Sequence, residues 1–422
     1  MKIQEELNYC LNCKTKPCKA NCPLENDIPE VINLIKQEKY EEAYDVLTET
    51  TVLSSVCGRI CPHMKQCEGK CTRRIKAKPV DIGSIEAFLS DLAIEKGFKI
   101  KKEDCYNENK AKNKKVAIIG AGPAGLTCAA FLAKAGVAVT IYEKYEKAGG
   151  ILAHGIPDFR LDKNVVNKTI NNILSLGIEI KYNCELGRNL EITDLMKQYD
   201  AIFLSFGANI STKMNIEGEE LVGVFGANEV LEKNLNIDYK NKKVAVIGGG
   251  NVAMDIARTA KRKGANEVYV IYRRAEEQMP AERKEIEDAK KEGINFLFQN
   301  NILKIISNKE NKNIEKIECI HTELVKKEGE ERLSPVNIAN SNYFINADLV
   351  FMAVGSKVDE NIVNKLNLET NKYGNIKVDE NYKTSNNKIF AGGDLIGEKS
   401  TVAWAASTGR QAAKHIIASI YQ

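Results

Sequence analysis

The sequence predicts an α/β protein with two parallel β-sheets flanked by helices, preceded by a small α-helical region. Two observations predict the sheets: a glycine-rich turn between short apolar strands at 116–142, and a second copy of that arrangement at 243–272. A third predicts the helical region, because eight of the twelve cysteines precede residue 72 and the segments between them show helical spacing of apolar residues.

The first glycine-rich turn has the setting that a dinucleotide requires. Val116–Ile119 is predicted as a buried parallel strand, residues 120–125 read GAGPAG, and an Ala-rich helix follows to about Ala135. A second strand, Val137–Tyr142, ends at Glu143, which would accept hydrogen bonds from a ribose. Gly120 permits a tight turn, and Gly122 permits close approach of N–H groups to a pyrophosphate. Gly125 permits packing of the helix on the strand.

Composition excludes several classes of function. The 61 Lys and Arg residues against 57 Asp and Glu residues leave a net charge of +4, too balanced to predict a nucleic-acid surface. No stretch resembles a signal peptide or is long enough to span a bilayer, so we expect a cytoplasmic protein without membrane association. Disulfides are rare in the cytoplasm. Four scattered cysteines are expected to be buried small residues: Cys105, Cys128, Cys184 and Cys319.

The eight early cysteines lie in two loops joined by predicted helices. The first loop has the spacing C-x2-C-x4-C-x3-C-P at 10–23, and the second has C-x3-C-P-x4-C-x3-C at 57–71. Ile28–Leu47 has apolar residues at helical spacing, and Ile82–Lys96 is predicted as a helix capped by Asp81. We expect ligands to help hold so small a helical region together.

Two kinds of metal centre compete for these cysteines. Zinc would suit Cys10 and Cys13, but zinc sites usually oppose two C-x2-C pairs, and only this pair has that spacing. A run ending in Cys-Pro is typical of [4Fe–4S] proteins, in which its last cysteine ligates the other cluster, although the middle gap of four is not that of ferredoxins. The pattern favours two [4Fe–4S] clusters and leaves zinc open.

The second unit differs from the first at the end of its second strand. Lys243–Asp255 again runs from strand to helix, here through GGG at 248–250, and the next strand is Glu267–Tyr272. Arg273 and Arg274 follow it in place of an acid. An acid hydrogen-bonds a free ribose hydroxyl, whereas arginines suit a 2′-phosphate; the alternative is two solvated arginines on a loop. The second unit is therefore predicted to bind NADP rather than NAD.

The connecting segments complete the organisation. Phe98–Lys115 is charged and rich in Asn and Lys, so it is predicted as a solvated linker. Near the end, two strands are predicted at 348–355 and 388–394, the latter closing in Gly-Gly-Asp, before a helix at Thr401–Ala418. If the first unit binds FAD, this helix could direct its N-terminus at the flavin ring, and Asp394 fits a hydrogen bond to the ribityl-phosphate chain.

The cysteines outside the first region do not suit a redox disulfide. Flavin disulfide reductases need a cysteine pair near the flavin, but none follows Glu143, and residues 225–345 contain only Cys319. Electrons are therefore expected to leave through the cysteine region. Hydride transfer from nicotinamide to flavin N5 depends on geometry, so no catalytic acid or base is predicted.

Eight motifs cover nearly the whole chain. They are CxxCxxxxCxxxCP at 10–23, CGRICPxxxxCEGKC at 57–71, IGSIE at 82–86, IIGAGPAGL at 118–126, GIPDFRL at 155–161, GGGNVAMD at 248–255, YRRAEEQMP at 272–280 and IFAGGD at 389–394. As a set they resemble the small (beta) subunit family of NADPH-dependent glutamate synthase. That family is related to the flavin portion of dihydropyrimidine dehydrogenase and to the large subunit of NADH-dependent ferredoxin:NADP oxidoreductase.

The resemblance implies two Rossmann-like domains behind an iron–sulfur domain. The helical domain with two [4Fe–4S] clusters would span 1–105, the FAD-binding domain 106–225 and 346–422, and the interrupting NAD(P)H-binding domain 226–345. One cluster would be ligated by Cys10, Cys13, Cys18 and Cys71. The other would be ligated by Cys22, Cys61, Cys67 and Glu86. Cysteine arithmetic alone would instead use all eight cysteines, including Cys57.

The motifs also extend the two nucleotide sites, with Met279 and Pro280 implied near the nicotinamide. The residues expected at FAD are Gly120, Gly122, Pro123, Ala124, Gly125, Glu143, Lys144, Gly150, Leu152, Arg160, Gly393, Asp394, Thr401 and Val402. Those expected at NADPH are Gly249, Gly250, Asn251, Val252, Asp255, Arg273, Arg274, Met279 and Gly355.

The expected function is electron transfer from NADPH through FAD to the clusters and on to a partner. A large (alpha) subunit of glutamate synthase is the first expectation for that partner. A second expectation keeps the same path but ends at ferredoxin or at a pyrimidine-reducing partner. A third is a zinc-stabilised binding protein that senses the nucleotide ratio.

Overall fold

The computed structural model describes residues 3–102, 114–308, 313–326, 329, 332–397 and 399–421. The chain folds as two compact units. The first comprises Met1–Ala153, Asp158–Ala208 and Val358–Gln422, and the second comprises His154–Pro157 and Asn209–Lys357. Most of the predicted linker, with Cys105, lies outside the described residues, and the three predicted domain boundaries stay predictions.

The cysteine region belongs to the first unit, and its described residues, 3–102, form helices and no strand. The α-helices are Ile3–Tyr9, Pro17–Ala20, Ile28–Lys36, Tyr40–Thr48, Ser54–Ile60 and Ile82–Lys96, and the 3-10 helices are His63–Lys65, Glu68–Lys70 and Thr72–Ile75. Asp27 and Asp81 each cap a helix, accepting a hydrogen bond from the backbone N–H three residues further on. Side chains such as Val31, Leu47 and Ile85 are fully buried, so the region has an apolar core of its own.

A five-stranded parallel sheet forms the rest of the first unit. Its strands, in spatial order, are Ile389–Ala391, Ala201–Leu204, Lys115–Ile119, Ala138–Tyr142 and Glu179–Lys181. The helices that connect or follow these strands are Pro123–Lys134, Ile151–His154, Lys163–Leu174, Ile192–Gln198, Glu360–Lys365 and Val402–Tyr421. The central strand is buried from Val116 onward, as expected for a parallel strand covered on both faces. The carboxyl end of this strand leads directly into the first glycine turn.

The second unit contains a matching parallel sheet and an antiparallel one. The parallel strands, in spatial order, are Val224–Gly226, Leu349–Met352, Lys243–Ile247, Glu267–Tyr272 and Asn295–Phe298. The antiparallel strands are Asn300–Ser307, Ile314–Val325 and Ser334–Asn346, and a small separate pair is Ile210–Ser211 with Ser356–Lys357. The helices of this unit are Ala227–Lys233, Asn251–Arg262 and Arg283–Lys291.

The predicted α/β class with two Rossmann-like sheets is confirmed. The antiparallel sheet at 300–346 was not predicted, because β-bulges near Ile302 and Ile320 shift the register and interrupt the two-residue alternation. Cys128 and Cys319 are buried as expected. The expectation for Cys184 is wrong: it is half-buried on a turn, where its thiol contacts the carbonyl oxygen of Tyr182 at 3.3 Å.

Candidate functional site

The first glycine turn leaves open space at the start of a helix. Gly120 has φ +99°, and a Cβ atom at Gly125 would lie 2.0 Å from the Gly120 carbonyl oxygen. Gly122 caps the helix Pro123–Lys134, and a Cβ atom there would meet no heavy atom within 4 Å. The free N–H groups of the first helical turn therefore border a space that a pyrophosphate can enter.

Glu143 is fixed beside this turn. Its side chain is buried, with Oε2 accepting the Ala121 N–H at 2.7 Å and Oε1 accepting the Tyr145 N–H at 3.0 Å. Each carboxylate oxygen keeps a second lone pair for a ribose hydroxyl. The predicted acid is therefore in place and held rigid.

Two further glycine segments converge on the same turn, as the FAD prediction requires. A Cβ atom at Gly150 would lie 2.9 Å from the Gly122 Cα, and one at Gly393 would lie 3.1 Å from the Ala124 Cβ. Burial raises the pKa of the neighbouring Asp394 to about 6. The other residues predicted at FAD are Leu152, which is buried, Lys144 and Arg160, which are half-buried, and Thr401 and Val402, at the start of the final helix.

The second glycine turn reproduces this geometry in the other unit. Gly248 has φ +136°, and a Cβ atom there would lie 2.2 Å from the Ala353 carbonyl oxygen. Gly250 caps the helix Asn251–Arg262, and a Cβ atom at this glycine would again meet no heavy atom within 4 Å. A second pyrophosphate fits this turn for the same physical reason as the first.

The strand register corrects the position of the arginines by one residue. Ile119 pairs with Tyr142, whereas Ile247 pairs with Ile271, so the counterpart of Glu143 is Tyr272 and the arginines follow it. The Tyr272 hydroxyl donates to the Gln278 carbonyl oxygen at 2.8 Å. The Arg273 side chain is exposed, and the Arg274 Nε donates to the Leu333 carbonyl oxygen at 3.0 Å.

The predicted nicotinamide segment lies against the second turn. Its Ala281 N–H donates to the Gly249 carbonyl oxygen at 3.1 Å, and its Glu282 N–H donates to the Asn251 Oδ1 at 2.9 Å. Met279 is buried. The remaining residues predicted at NADPH are Val252, half-buried on the helix, Asp255, buried on it, and Gly355, with φ +139° after the strand Leu349–Met352.

Four cysteines line one pocket, and we call them the first cysteine group. They are Cys10, Cys13, Cys18 and Cys71. Burial raises the pKa of Cys10, and it raises that of Cys18 to about 11, with the charges of Cys10 and Cys71 adding to the effect on Cys18. The Cys13 thiol lies 3.2 Å from the Thr72 hydroxyl. Several thiolates gathered in one half-buried pocket repel each other, and a cationic cluster would relieve that repulsion.

The second cysteine group consists of three cysteines and one acid. They are Cys22, Cys61, Cys67 and Glu86. Burial, together with the charges of Glu86 and Cys61, raises the pKa of Cys22 to about 11. Burial also raises the pKa of Cys67, again with Glu86, Cys22 and Cys61 contributing.

Glu86 and Cys57 both lie at this second group, but with different neighbours. Glu86 is 5% exposed, its Oε1 accepts the Asn26 Nδ2–H at 2.7 Å, and burial raises its pKa to about 7. A hydrogen bond with the Cys57 side chain is the main cause of the raised pKa of Cys61. The charge of Glu86 raises the pKa values of all three cysteines.

The cysteine groups do not close around a single ion. Across the described ranges, no three His, Cys, Asp or Glu side chains are arranged to hold one metal ion. All ligands of a zinc site lie about 2.0–2.3 Å from one ion, whereas each cysteine of a [4Fe–4S] cluster binds a different iron.

None of the described helices is both long and apolar enough to cross a bilayer.

Sequence reasoning missed the role of the final helix, Val402–Tyr421. The backbone N–H of Ala403 opposes the rise in the pKa of the Cys61 thiol. On the same helix, the Thr408 Oγ1 accepts the Gly393 N–H at 2.7 Å. No local motif predicts these contacts, since the residues involved do not belong to one motif.

Two open glycine turns on parallel sheets, together with two cysteine groups, define an NAD(P)-dependent flavin oxidoreductase with an iron–sulfur region. Residues 114–413 match the pyridine nucleotide-disulphide oxidoreductase family, and residues 1–98 match the family described as dihydropyrimidine dehydrogenase domain II, 4Fe-4S cluster. These matches indicate FAD, NAD(P) and a [4Fe–4S] cluster as cofactors. The chain belongs to the pyridine nucleotide-disulphide oxidoreductases and, among them, to the glutamate synthase small-chain family.

Relatives support this membership. The chain is 36% identical to the NADPH glutamate synthase small chain of Escherichia coli, over 99% of this chain and 91% of that one. It is also 36% identical to the beta subunit of NADP(+)-dependent formate dehydrogenase from Moorella thermoacetica, over 95% of this chain and 59% of that one. The fold is similar to FprA from Mycobacterium tuberculosis, with a TM-score of 0.64, 19% identity, and coverage of 72% of this chain and 84% of that one.

Proposed function

We propose that this chain passes electrons from NADPH through FAD and two [4Fe–4S] clusters to a large subunit of glutamate synthase type. One observation carries the proposal: the final helix contacts both the predicted FAD site and the chain segment that follows Cys22 of the second cysteine group. Thr408 on that helix accepts the Gly393 N–H beside the first glycine turn at 2.7 Å, and Arg410 donates to the Leu24 carbonyl oxygen at 2.9 Å. A flavin at this turn and a cluster at this group would thus share one rigid element.

The nucleotide roles follow from the two turns. FAD supplies the step between hydride transfer from nicotinamide and transfer of single electrons. The open helix start at Gly122 would hold the FAD pyrophosphate, and Glu143 would bind its ribose. Gly250 would do the same for the pyrophosphate of NADPH, with Arg273 and Arg274 binding its 2′-phosphate.

The cluster ligands follow from the two cysteine groups. We assign one cluster to the first group, with ligands Cys10, Cys13, Cys18 and Cys71. The other belongs to the second group, with ligands Cys22, Cys61, Cys67 and Glu86. The pocket that its four cysteines line supports the first set. The second set is supported by the charges of Glu86, Cys22 and Cys61, which raise the pKa of Cys67. Cytoplasmic location is part of the proposal, since NADPH and reduced cysteines are available in that compartment.

The identity of the partner has one specific competitor. A relative of equal identity is named as the beta subunit of an NADP(+)-dependent formate dehydrogenase. The same path with another redox subunit, or with ferredoxin, is therefore the second candidate. The zinc-stabilised sensor is disfavoured, because the cysteine region matches a 4Fe-4S family.

Turnover with and without a large subunit tests the proposal. The purified chain should oxidise NADPH with an artificial dye as acceptor, and it should form no glutamate from glutamine and 2-oxoglutarate. Glutamate should appear once the large subunit from the same host is added. Glutamate made by the pure chain would refute the subunit role, and failure with that large subunit while dye reduction persists would favour the second candidate.

A further inference from the structure

The final helix carries an arginine that the nucleotide and cysteine sites leave unexplained. The Arg410 side chain is 12% exposed and reaches into the cysteine region. Its Nη1 donates to the carbonyl oxygens of Leu24 at 2.9 Å and Thr50 at 3.2 Å. Its Nη2 lies 3.3 Å from the Glu25 carboxylate, whose side chain is 65% exposed. The guanidinium therefore binds mainly backbone oxygens, and its only described ion pair is with an exposed acid.

These contacts border the second cysteine group on two sides. On one side, the Arg410 partners Leu24 and Glu25 belong to the turn that begins at Cys22, which is closed by the hydrogen bond from the Glu25 N–H to the Cys22 carbonyl oxygen at 2.9 Å. On the other side, the Thr50 hydroxyl donates to the Asn26 Oδ1 at 2.7 Å, and the Asn26 Nδ2 donates to the Glu86 Oε1 at 2.7 Å. Arg410 thus adjoins both the first cysteine of this group and, through two side chains, its carboxylate.

The same helix adds a second source of positive potential. Ala403 precedes Arg410 by seven residues, which is two helical turns, so both lie on one face of the helix. Ala403 lies in the first turn of this helix, Val402–Tyr421. The N-terminus of a helix carries a partial positive charge, and an arginine in a protein stays protonated. One helix face therefore carries both a dipole end and a full charge, and the full charge lies against the turn that begins at Cys22.

We propose that Arg410 is a positioning residue that holds the second cysteine group against the final helix and raises the reduction potential of the cluster bound there. The inference rests on the proposed function, which assigns a cluster to this group. Accepting one electron adds one negative charge at the group and breaks no bond. A fixed, poorly screened cation stabilises the reduced form more than the oxidised form. The first cysteine group has no described contact with Arg410, so its potential should not depend on this residue.

The test is a mediated redox titration of the full-length holoprotein, followed by electron paramagnetic resonance with dithionite as reductant. Arg410→Gln removes the charge, and Arg410→Lys keeps it. Arg59→Gln is the matched control, because Arg59 is in the same region and pairs with Asp91 at 2.5 Å. Arg410→Gln should lower one of the two midpoint potentials by about the equivalent of a tenfold change in the reduced-to-oxidised ratio, 59 mV for one electron. Arg410→Lys and Arg59→Gln should leave both potentials near the wild-type values.

Each other outcome is informative. Equal potentials in wild type and Arg410→Gln would overturn the electrostatic role, and so would an equal fall of both midpoints. If Arg410→Gln loses the second cluster, Arg410→Lys decides: a wild-type potential supports the proposal, and loss of that cluster as well contradicts it. A wild-type protein with only one cluster transition and half the expected iron would instead refute the two-cluster function itself.

Discussion

The two nucleotide turns and the two cysteine groups make room for a ligand in different ways. At Gly122 and Gly250 the backbone alone creates the space, because a Cβ atom at either position would meet nothing within 4 Å. In the cysteine groups the side chains themselves form the site, and burial and mutual charge raise their pKa values. A site formed by the backbone should tolerate substitutions of neighbouring side chains, but it should lose its cofactor when a side chain fills the space. A site formed by side chains should be lost when any one of its ligands is removed.

The largest expected effect is loss of a whole cofactor from a backbone site. Gly122→Leu should fold, since φ is −79° and the space is open, but its side chain would occupy the place of the pyrophosphate. We expect a colour change from loss of flavin, measured by FAD content. Gly250→Leu is the matched control, which should keep FAD and lose NADPH binding. Full flavin in a folded Gly122→Leu protein would contradict the assignment of the first turn.

Loss of one cluster comes next in size and tests the side-chain sites. Cys71→Ser should remove about half of the iron, because it belongs to one group of four. The remaining cluster should keep its resonance signal, since the second group shares no ligand with the first. Iron analysis after anaerobic purification measures this, and loss of all iron or none would argue against two independent groups.

The fourth ligand of the second group is tested by a pair of variants. Cys57→Ser should leave the iron content unchanged, because the proposed ligand set contains Glu86 and not Cys57. Glu86→Ala should lower it. The opposite pattern, with iron lost only from Cys57→Ser, would show that all eight cysteines are ligands.

A smaller effect is expected where a side chain tunes a backbone site. Arg273→Ala should weaken NADPH binding by roughly tenfold or more, since a charge-assisted hydrogen bond is worth about 1.5–3 kcal/mol. NADH, which lacks the 2′-phosphate, should be almost unaffected. The measurement is the steady-state KM for each cofactor with a dye acceptor, and equal losses would assign Arg273 a structural role.

The smallest expected effect is on pH dependence. The pKa of Asp394 is raised to about 6 by burial, above the ordinary value of about 3.9. The folded state therefore favours the protonated form, and this stabilising contribution is full below about pH 4 and is lost as pH rises through 6. In flavin-depleted protein, Asp394→Asn should flatten the fall in unfolding free energy between pH 4 and 6, by on the order of 3 kcal/mol. An unchanged urea-unfolding profile would contradict this.

The sequence predicted the backbone sites more completely than the side-chain sites. Gly120 and Gly125 sit in a short local motif, and local strand–turn–helix geometry determines their role. The structure also brings Gly150 and Gly393 to that turn, as the motifs implied. The predicted position of Arg273 and Arg274 was wrong by one residue, because the glycine spacing does not determine the length of the following strand.

Contacts between segments that are distant in sequence were not predicted. The hydrogen bonds from Arg410 to Leu24 and Thr50 join residues 386 and 360 positions apart. The antiparallel sheet at 300–346 was not predicted either, because its β-bulges interrupt the alternation of apolar and polar residues that is typical of a strand. The proposed grouping of the cysteines comes from the family resemblance, since spacing alone left Cys57 and Glu86 undecided.

The most direct test of the account is the cofactor content of anaerobically purified protein. We predict one FAD and iron and acid-labile sulfide equal to two [4Fe–4S] clusters per chain, with a brown colour and broad absorbance beyond the flavin bands. Zinc in place of iron, or iron for fewer than two clusters in fully reconstituted protein, would contradict the proposed electron path.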